Sequence, residues 1–100
     1  PTQSVKLDGA YVKLTENSDG ITKLSADGNG RTGVLTVASY RNNGSVIDVK
    51  KLELTKKENA ADITLETLGL NTSNAKEIRA MLWENEQSAI PLCPADKVIK

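Results

Sequence analysis

Apolar and polar residues alternate at period two in short runs along the chain, and clusters of turn-forming residues separate the runs. This is the pattern of half-buried β-strands. In SVKL, Val5 and Leu7 share one face; Asp8-Gly9 then shifts the phase, and Ala10, Val12 and Leu14 continue the apolar side. Asn17-Ser18-Asp19-Gly20 predicts a turn, ITKLSA a second, weaker strand, and DGNGRTG the loop that closes it. VLTVASY is apolar at both parities, as expected of a central strand covered on both sides. Arg41-Asn42-Asn43-Gly44 follows it. Asn-Gly supplies positive φ at both central positions of a tight hairpin, so a type I′ turn is expected here.

SVIDVKKLELT is the predicted returning strand, with Ile47 and Val49 on one parity and Leu52 and Leu54 on the other. The slip between them predicts a β-bulge, or a change of sheet, at Lys50-Lys51. ADITLETL alternates throughout, which places Ala61, Ile63 and Leu65 inward and Asp62, Thr64 and Glu66 outward. KEIRAMLWEN reads two ways. As a helix it would be capped by Ser73 or Asn74, with Glu77 at a capping-box position and a short stripe of Ile78, Met81 and Leu82. As a strand it lines one face with Ile78, Ala80 and Leu82 and the other with Arg79, Met81 and Trp83. Propensity favours the helix, whereas the run of extended elements before it favours the strand. In the tail SAIPLCPADKVIK, Pro91 and Pro94 restrict the segment to an edge strand or a packed loop. The expected architecture is therefore all-β: one domain over residues 1–100, an immunoglobulin- or fibronectin III-like β-sandwich of about seven strands.

Composition narrows the function classes. Thirteen basic residues balance thirteen acidic ones, and the densest basic doublets, Lys50-Lys51 and Lys56-Lys57, are flanked by Asp48, Glu53 and Glu58. No field of one sign draws in nucleic acid or an anionic surface, so neither is an expected partner. No apolar run approaches the roughly 18 residues that span a bilayer. The chain opens PTQSVKLDG, without Met or a hydrophobic segment, and so reads as a mature product or as a module excised from a larger protein.

Candidate chemistry is sparse. There is no histidine, which removes the usual general base, the commonest metal ligand and the standard nucleophile triads. Cys93, the only cysteine, forms no internal disulfide, and between Leu92 and Pro94 it reads as a small packing residue rather than a nucleophile. ADGNG resembles half of a calcium loop, but with Gly30 at the glycine position Ser25 and Thr36 fall where Asp and a bidentate Glu are needed. A weak calcium site from Asp19, Asp27 and Asn29 requires their two loops to meet. The expectation is thus no enzyme activity, no metal and no cofactor. The only Met, Trp and Cys lie within EIRAMLWENEQSAIPLC. Two readings of that cluster are a packed group, with the Trp83 indole covering Pro91, and an exposed binding aromatic.

The segments Val37-Ala38-Ser39-Tyr40 before Asn43-Gly44, Val46 to Leu54, Arg79-Ala80-Met81-Leu82-Trp83-Glu84 and Ala89-Ile90-Pro91-Leu92 carry a family resemblance. Together they resemble an accessory module repeated in extracellular multidomain proteins of Gram-positive bacteria, with Met81 in place of the usual aromatic and Ile90 in place of the usual Lys. The resemblance covers about three fifths of the chain, from Val34 to Leu92. It implies a sandwich and favours the strand reading of KEIRAMLWEN. It also implies an extracellular or cell-wall location and a non-catalytic role as spacer or interdomain packing unit, with neighbouring domains of the parent chain as partners. The alternative is a module that binds carbohydrate or a surface partner, such as a polysaccharide or cell-wall component. Trp83 and Tyr11 are its candidate ligand-binding residues, and Tyr40 is the only other aromatic. Self-association through an exposed edge strand is a third reading, against the expectation of a monomer.

Overall fold

The computed structural model describes residues 9–85 and 90–100. Seven strands form in chain order: β1 (Tyr11–Glu16), β2 (Thr22–Asp27), β3 (Gly33–Tyr40), β4 (Val46–Leu54), β5 (Ala60–Thr64), β6 (Glu77–Trp83) and β7 (Asp96–Ile99), with one helical turn, α1 (Leu65–Leu68), between β5 and β6. All pairings are antiparallel, and the strands divide into a three-stranded sheet, β1-β2-β5, and a four-stranded sheet, β4-β3-β6-β7. The two sheets form a β-sandwich. Its core is where the inward parities meet: Val12 and Leu14 of β1, Leu24 and Ala26 of β2, Leu35 and Val37 of β3, and Ile78, Ala80 and Leu82 of β6. KEIRAMLWEN is the strand β6, with Arg79 exposed and Met81 and Trp83 half-buried on the opposite face. No helix starts at Ser73 or Asn74; Asn74 sits in a turn with φ 64°.

The structure corrects four local expectations. The β3–β4 connection is not a type I′ hairpin. Among the two central residues, Asn42 and Asn43, neither has positive φ; Gly44 does, at 89°. Gly44 donates to the Arg41 carbonyl at 2.9 Å and Arg41 donates to Ser45 at 2.8 Å, so a type I turn is followed by a left-handed glycine that closes a bulge. The irregularity in β4 lies at this end as well. Tyr40 pairs with Val46 and Ser39 with Asp48, which leaves Ile47 as the extra residue, while pairing through Lys50-Lys51 is continuous. The apolar residues of β4 therefore lie on both faces, Val49 outward opposite Ala38 and Leu52 inward opposite Leu35, with no slip of register between them.

The run ADITLETL is extended only as far as Thr64. Thr64 caps α1, accepting the Thr67 N–H, and Gly69 ends it with φ 87°. Leu65 is buried and Leu68 partly buried against the core, so residues that look like alternation are served equally well by the i, i+3 spacing of a turn. Finally, β3 is central but is covered by the other sheet on one face only; its outward residues Val34, Thr36 and Tyr40 are half-buried among side chains of the flanking strands. The predicted SVKL strand lies outside the described residues.

One side of the sandwich is sealed. β1 lies against β7 and β6. The Asp96 carboxylate accepts the Leu14 N–H at 2.8 Å, and Lys100 pairs with Glu16 at 2.7 Å. These contacts satisfy an edge amide and fix the edge of one sheet to the edge of the other.

Candidate functional site

The two outer faces of the sandwich differ in chemistry. On the three-stranded sheet, the outward rows set by strand register are Tyr11-Asp27-Ala60, Lys13-Ser25-Asp62 and Thr15-Lys23-Thr64. Lys23 and Asp62 form an exposed ion pair at 3.1 Å. This face is a solvated surface. On the four-stranded sheet, the outward rows are Val46-Tyr40-Glu77-Ile99, Val49-Ala38-Arg79-Lys97, Lys51-Thr36-Met81 and Glu53-Val34-Trp83. Three of its aliphatic side chains stand largely in water: Val46 is 49% exposed, Val49 43% and Ile99 63%. Single exposed aliphatics are ordinary; here Val46 and Val49 on β4 and Ile99 on β7 share one sheet face with the half-buried Met81 and Trp83, and Tyr40, Glu77 and Arg79 between them make the patch a mixed one.

Trp83 closes one corner of that patch. It ends β6, half-buried, and its backbone makes an isolated antiparallel bridge to Pro91, which is exposed. Backbone bonds fix it on both sides: Glu84 donates to Ile90 at 2.8 Å and Leu92 donates to Leu82 at 2.9 Å. The Ile90 side chain itself is 51% exposed. Cys93 does not belong to the outer patch; it is buried in the main core with Leu92. Burial raises its thiol pKa above the ordinary value, which leaves it a poor nucleophile.

Tyr40 occupies the other end of the same face. The Arg79 guanidinium lies over its ring, 5.1 Å from the centroid, and is itself paired with Glu77. One face of the ring is therefore covered by a cation. A cleft of about 280 Å³ opens beside it, lined by Tyr40, Arg41, Lys76, Glu77, Arg79 and Ile99 among others. Tyr11 is half-buried at the start of β1, on the outer face of the other sheet. Tyr11 and Trp83 are thus on opposite sides of the sandwich, and no single flat ligand reaches both.

Asp19 and Asp27 do not meet. Residues 22–27 of β2 run between their loops, a separation of roughly 17 Å at strand rise. Each loop is closed by its own side chains: Asn17 Oδ1 accepts the Asp19 and Ile21 N–H groups at 2.9 and 3.0 Å, and Asp27 Oδ1 accepts the Asn29 N–H at 2.7 Å. Among the described residues no group of three or more His, Cys, Asp or Glu side chains is placed to hold a metal ion. No helix among them is long and apolar enough to cross a membrane.

Two architectural residues escape sequence reading. Asn59 joins the β2–β3 and β4–β5 loops: its Oδ1 accepts the Gly30 N–H at 2.5 Å and its Nδ2 donates to the carbonyls of Arg31 at 2.8 Å and Thr55 at 2.9 Å. Asp96 bonds the β1 edge. In sequence the first is one more loop Asn and the second one more charge in a tail, because their partners lie 28 and 82 residues away.

No family model matches the chain, and neither a curated protein nor a solved structure matches it. The likeness to the Gram-positive accessory module rests on the quoted segments alone.

Proposed function

We propose that the chain is a non-catalytic accessory module of a secreted or cell-wall-associated bacterial protein. In this reading it works as an interdomain packing unit that seats the outer face of its four-stranded sheet against a neighbouring domain. The observation that carries the reading is the contrast between the two outer faces. An inert spacer has no use for exposed Val46, Val49 and Ile99 on one side only. The strand arrangement also supports the fibronectin III-like expectation over the immunoglobulin constant one, because β4 pairs with β3 in the larger sheet instead of extending β5.

Area argues for a covalently linked partner. Four strands about 4.8 Å apart and about seven residues long present roughly 400 Å² in projection. That is below the roughly 800 Å² per partner of a standard free complex, but the roughly 800 Å² from both partners together falls within the roughly 600–1,500 Å² of interfaces between domains of one chain. Linkage raises the effective concentration enough for a small interface to hold.

Trp83, the only Trp, reports on this face. The test compares acrylamide quenching of its fluorescence in the isolated chain with that in a form extended by the domains adjoining it in the parent protein. The expected result is partial quenching in the isolated chain and strong protection in the extended one. Equal quenching in both would overturn the packing role.

The carbohydrate-binding alternative is less well supported. Its aromatics are split between opposite faces, and Arg79 covers Tyr40. Binding to a polysaccharide that is lost in both Trp83→Ala and Tyr11→Ala would reinstate it.

A further inference from the structure

Among the described residues the sandwich is sealed at β1/β7 and open at the opposite side, where β4 and β5 end their sheets. Four strands face three. Because β1 lies against β6 and β7, the shortfall falls on the β4 side, where Leu54 is buried but Leu52 only partly. No ladder joins β4 to β5. α1 and the segment after it cover one half of the gap: Gly69 approaches the Lys50 side chain, and Asn71 donates to Asp48 at 2.9 Å. The other half is a groove of about 230 Å³ lined by Leu52, Glu53, Leu54, Glu58, Ala61 and Ile63. Leu52, Ala61 and Ile63 are only partly buried there, although they pack against the core.

The geometry points to a strand-addition site: the open edge of β5 takes up one extended segment of a partner chain, about five residues long, as a fourth strand of the smaller sheet. The length is set by β5, which spans five residues. A strand placed there restores four against four and has apolar groups beneath its inward side chains, while its backbone pairs with the β5 edge. Charge sets the rest of its chemistry. Glu58 lines the groove, and Asp62 points outward from the middle of β5, its side chain 65% exposed and paired on one side with Lys23. An outward residue of the added strand lies cross-strand from Asp62, so the segment that fits alternates aliphatic residues inward with Lys or Arg outward. This site lies away from the outer face of the four-stranded sheet, so either can fail alone.

The probes are two capped pentapeptides, acetyl-Lys-Val-Lys-Val-Lys-amide and acetyl-Glu-Val-Glu-Val-Glu-amide, titrated into the isotope-labelled chain and followed by amide resonances. The lysine peptide is expected to shift residues 60–64 and 52–54 and to slow amide exchange along β5. It should bind roughly ten times more tightly than the glutamate peptide, the sum of two or three exposed charge pairs. In the doubly substituted Asp62→Lys, Glu58→Lys chain that preference should reverse; both positions are exposed, and an unchanged resonance pattern elsewhere confirms folding. Silence from both peptides at millimolar concentration overturns the site. So do shifts confined to the outer face of the four-stranded sheet. Equal binding of the two peptides overturns the charge rule. The same β5 shifts on raising protein concentration without peptide would make a second copy the occupant and overturn the partner-chain assignment.

Discussion

Gly33 opens β3 where an added Cβ would lie 2.7 Å from the Trp83 carbonyl oxygen and 3.0 Å from the Leu92 side chain. Backbone, unlike a flexible side-chain tip, does not yield cheaply. Gly33→Ala is therefore expected to lower stability by about 1–3 kcal/mol, measured by urea unfolding, although alanine suits the strand backbone there. On the packed reading of Trp83, truncation costs roughly 3–5 kcal/mol. Half-buried at a strand end, it has less to lose, and Trp83→Ala should cost about 1–2 kcal/mol. Cys93 is the opposite case. Buried and with its thiol pKa raised by desolvation, it should react with an aromatic disulfide reagent far more slowly in the native chain than in denaturant. Native labelling as fast as the unfolded rate would place the thiol at the surface.

Between elements, one side chain ties two loops together. Two hydrogen bonds of the Asn59 amide, to Gly30 and Arg31, fasten the β2–β3 loop to the β4–β5 loop, a third, to Thr55, braces its own loop, and the Asn59 carbonyl accepts the Gly28 N–H at 2.9 Å. Asn59→Ala should cost about 2–3 kcal/mol, since it strands two carbonyls and an amide at once, and should raise amide exchange in residues 28–32 before the rest of the sheet. The helical turn after β5 was as readable as any cap in the sequence: Thr64, acidic Glu66 and Gly69 are N-cap, first-turn and C-cap residues. Alternation through Leu65 hid it, because an inward Leu fits period two and a three-residue step alike. The bulge in β4 was misplaced for a different reason: Val49 and Leu52 stand in unbroken register on opposite faces, so their change of parity marks no bulge, and the bulge at Ile47 comes before both.

Across the fold, Asp48 links the four-stranded sheet to the segment after α1. The Asn71 N–H is the main reason its carboxyl pKa is held below the ordinary value, with smaller help from the Val49 N–H and Lys50 against the opposing effect of burial. A carboxylate whose native pKa is lowered contributes stability in full above the unfolded value of about 3.9, and loses it as pH falls through the native value. Acid unfolding below about pH 4 should therefore be shallower in Asp48→Asn than in the parent chain, and the two should differ by a constant amount near neutrality. A steeper acid limb in the variant would reverse the sign of this account.

The number and inward parity of the strands were readable from residue order, since alternation is a local signal that one segment carries alone. Val12 and Leu14, Leu24 and Ala26, and Ile78, Ala80 and Leu82 all face the core as their spacing requires. The absence of imidazole chemistry was equally plain, because no conformation supplies a histidine the chain does not have. The division of seven strands into three and four was not readable, and neither was the sealing of one seam by Asp96 and Lys100 or the opening of the other beside Leu52. Nor was the gathering of Val46, Val49 and Ile99 on one outer face. Each of these is a relation between segments far apart in the chain. An outward Val49 and an inward Leu52 are both simply apolar until a neighbouring strand fixes the register and gives the sheet its two sides.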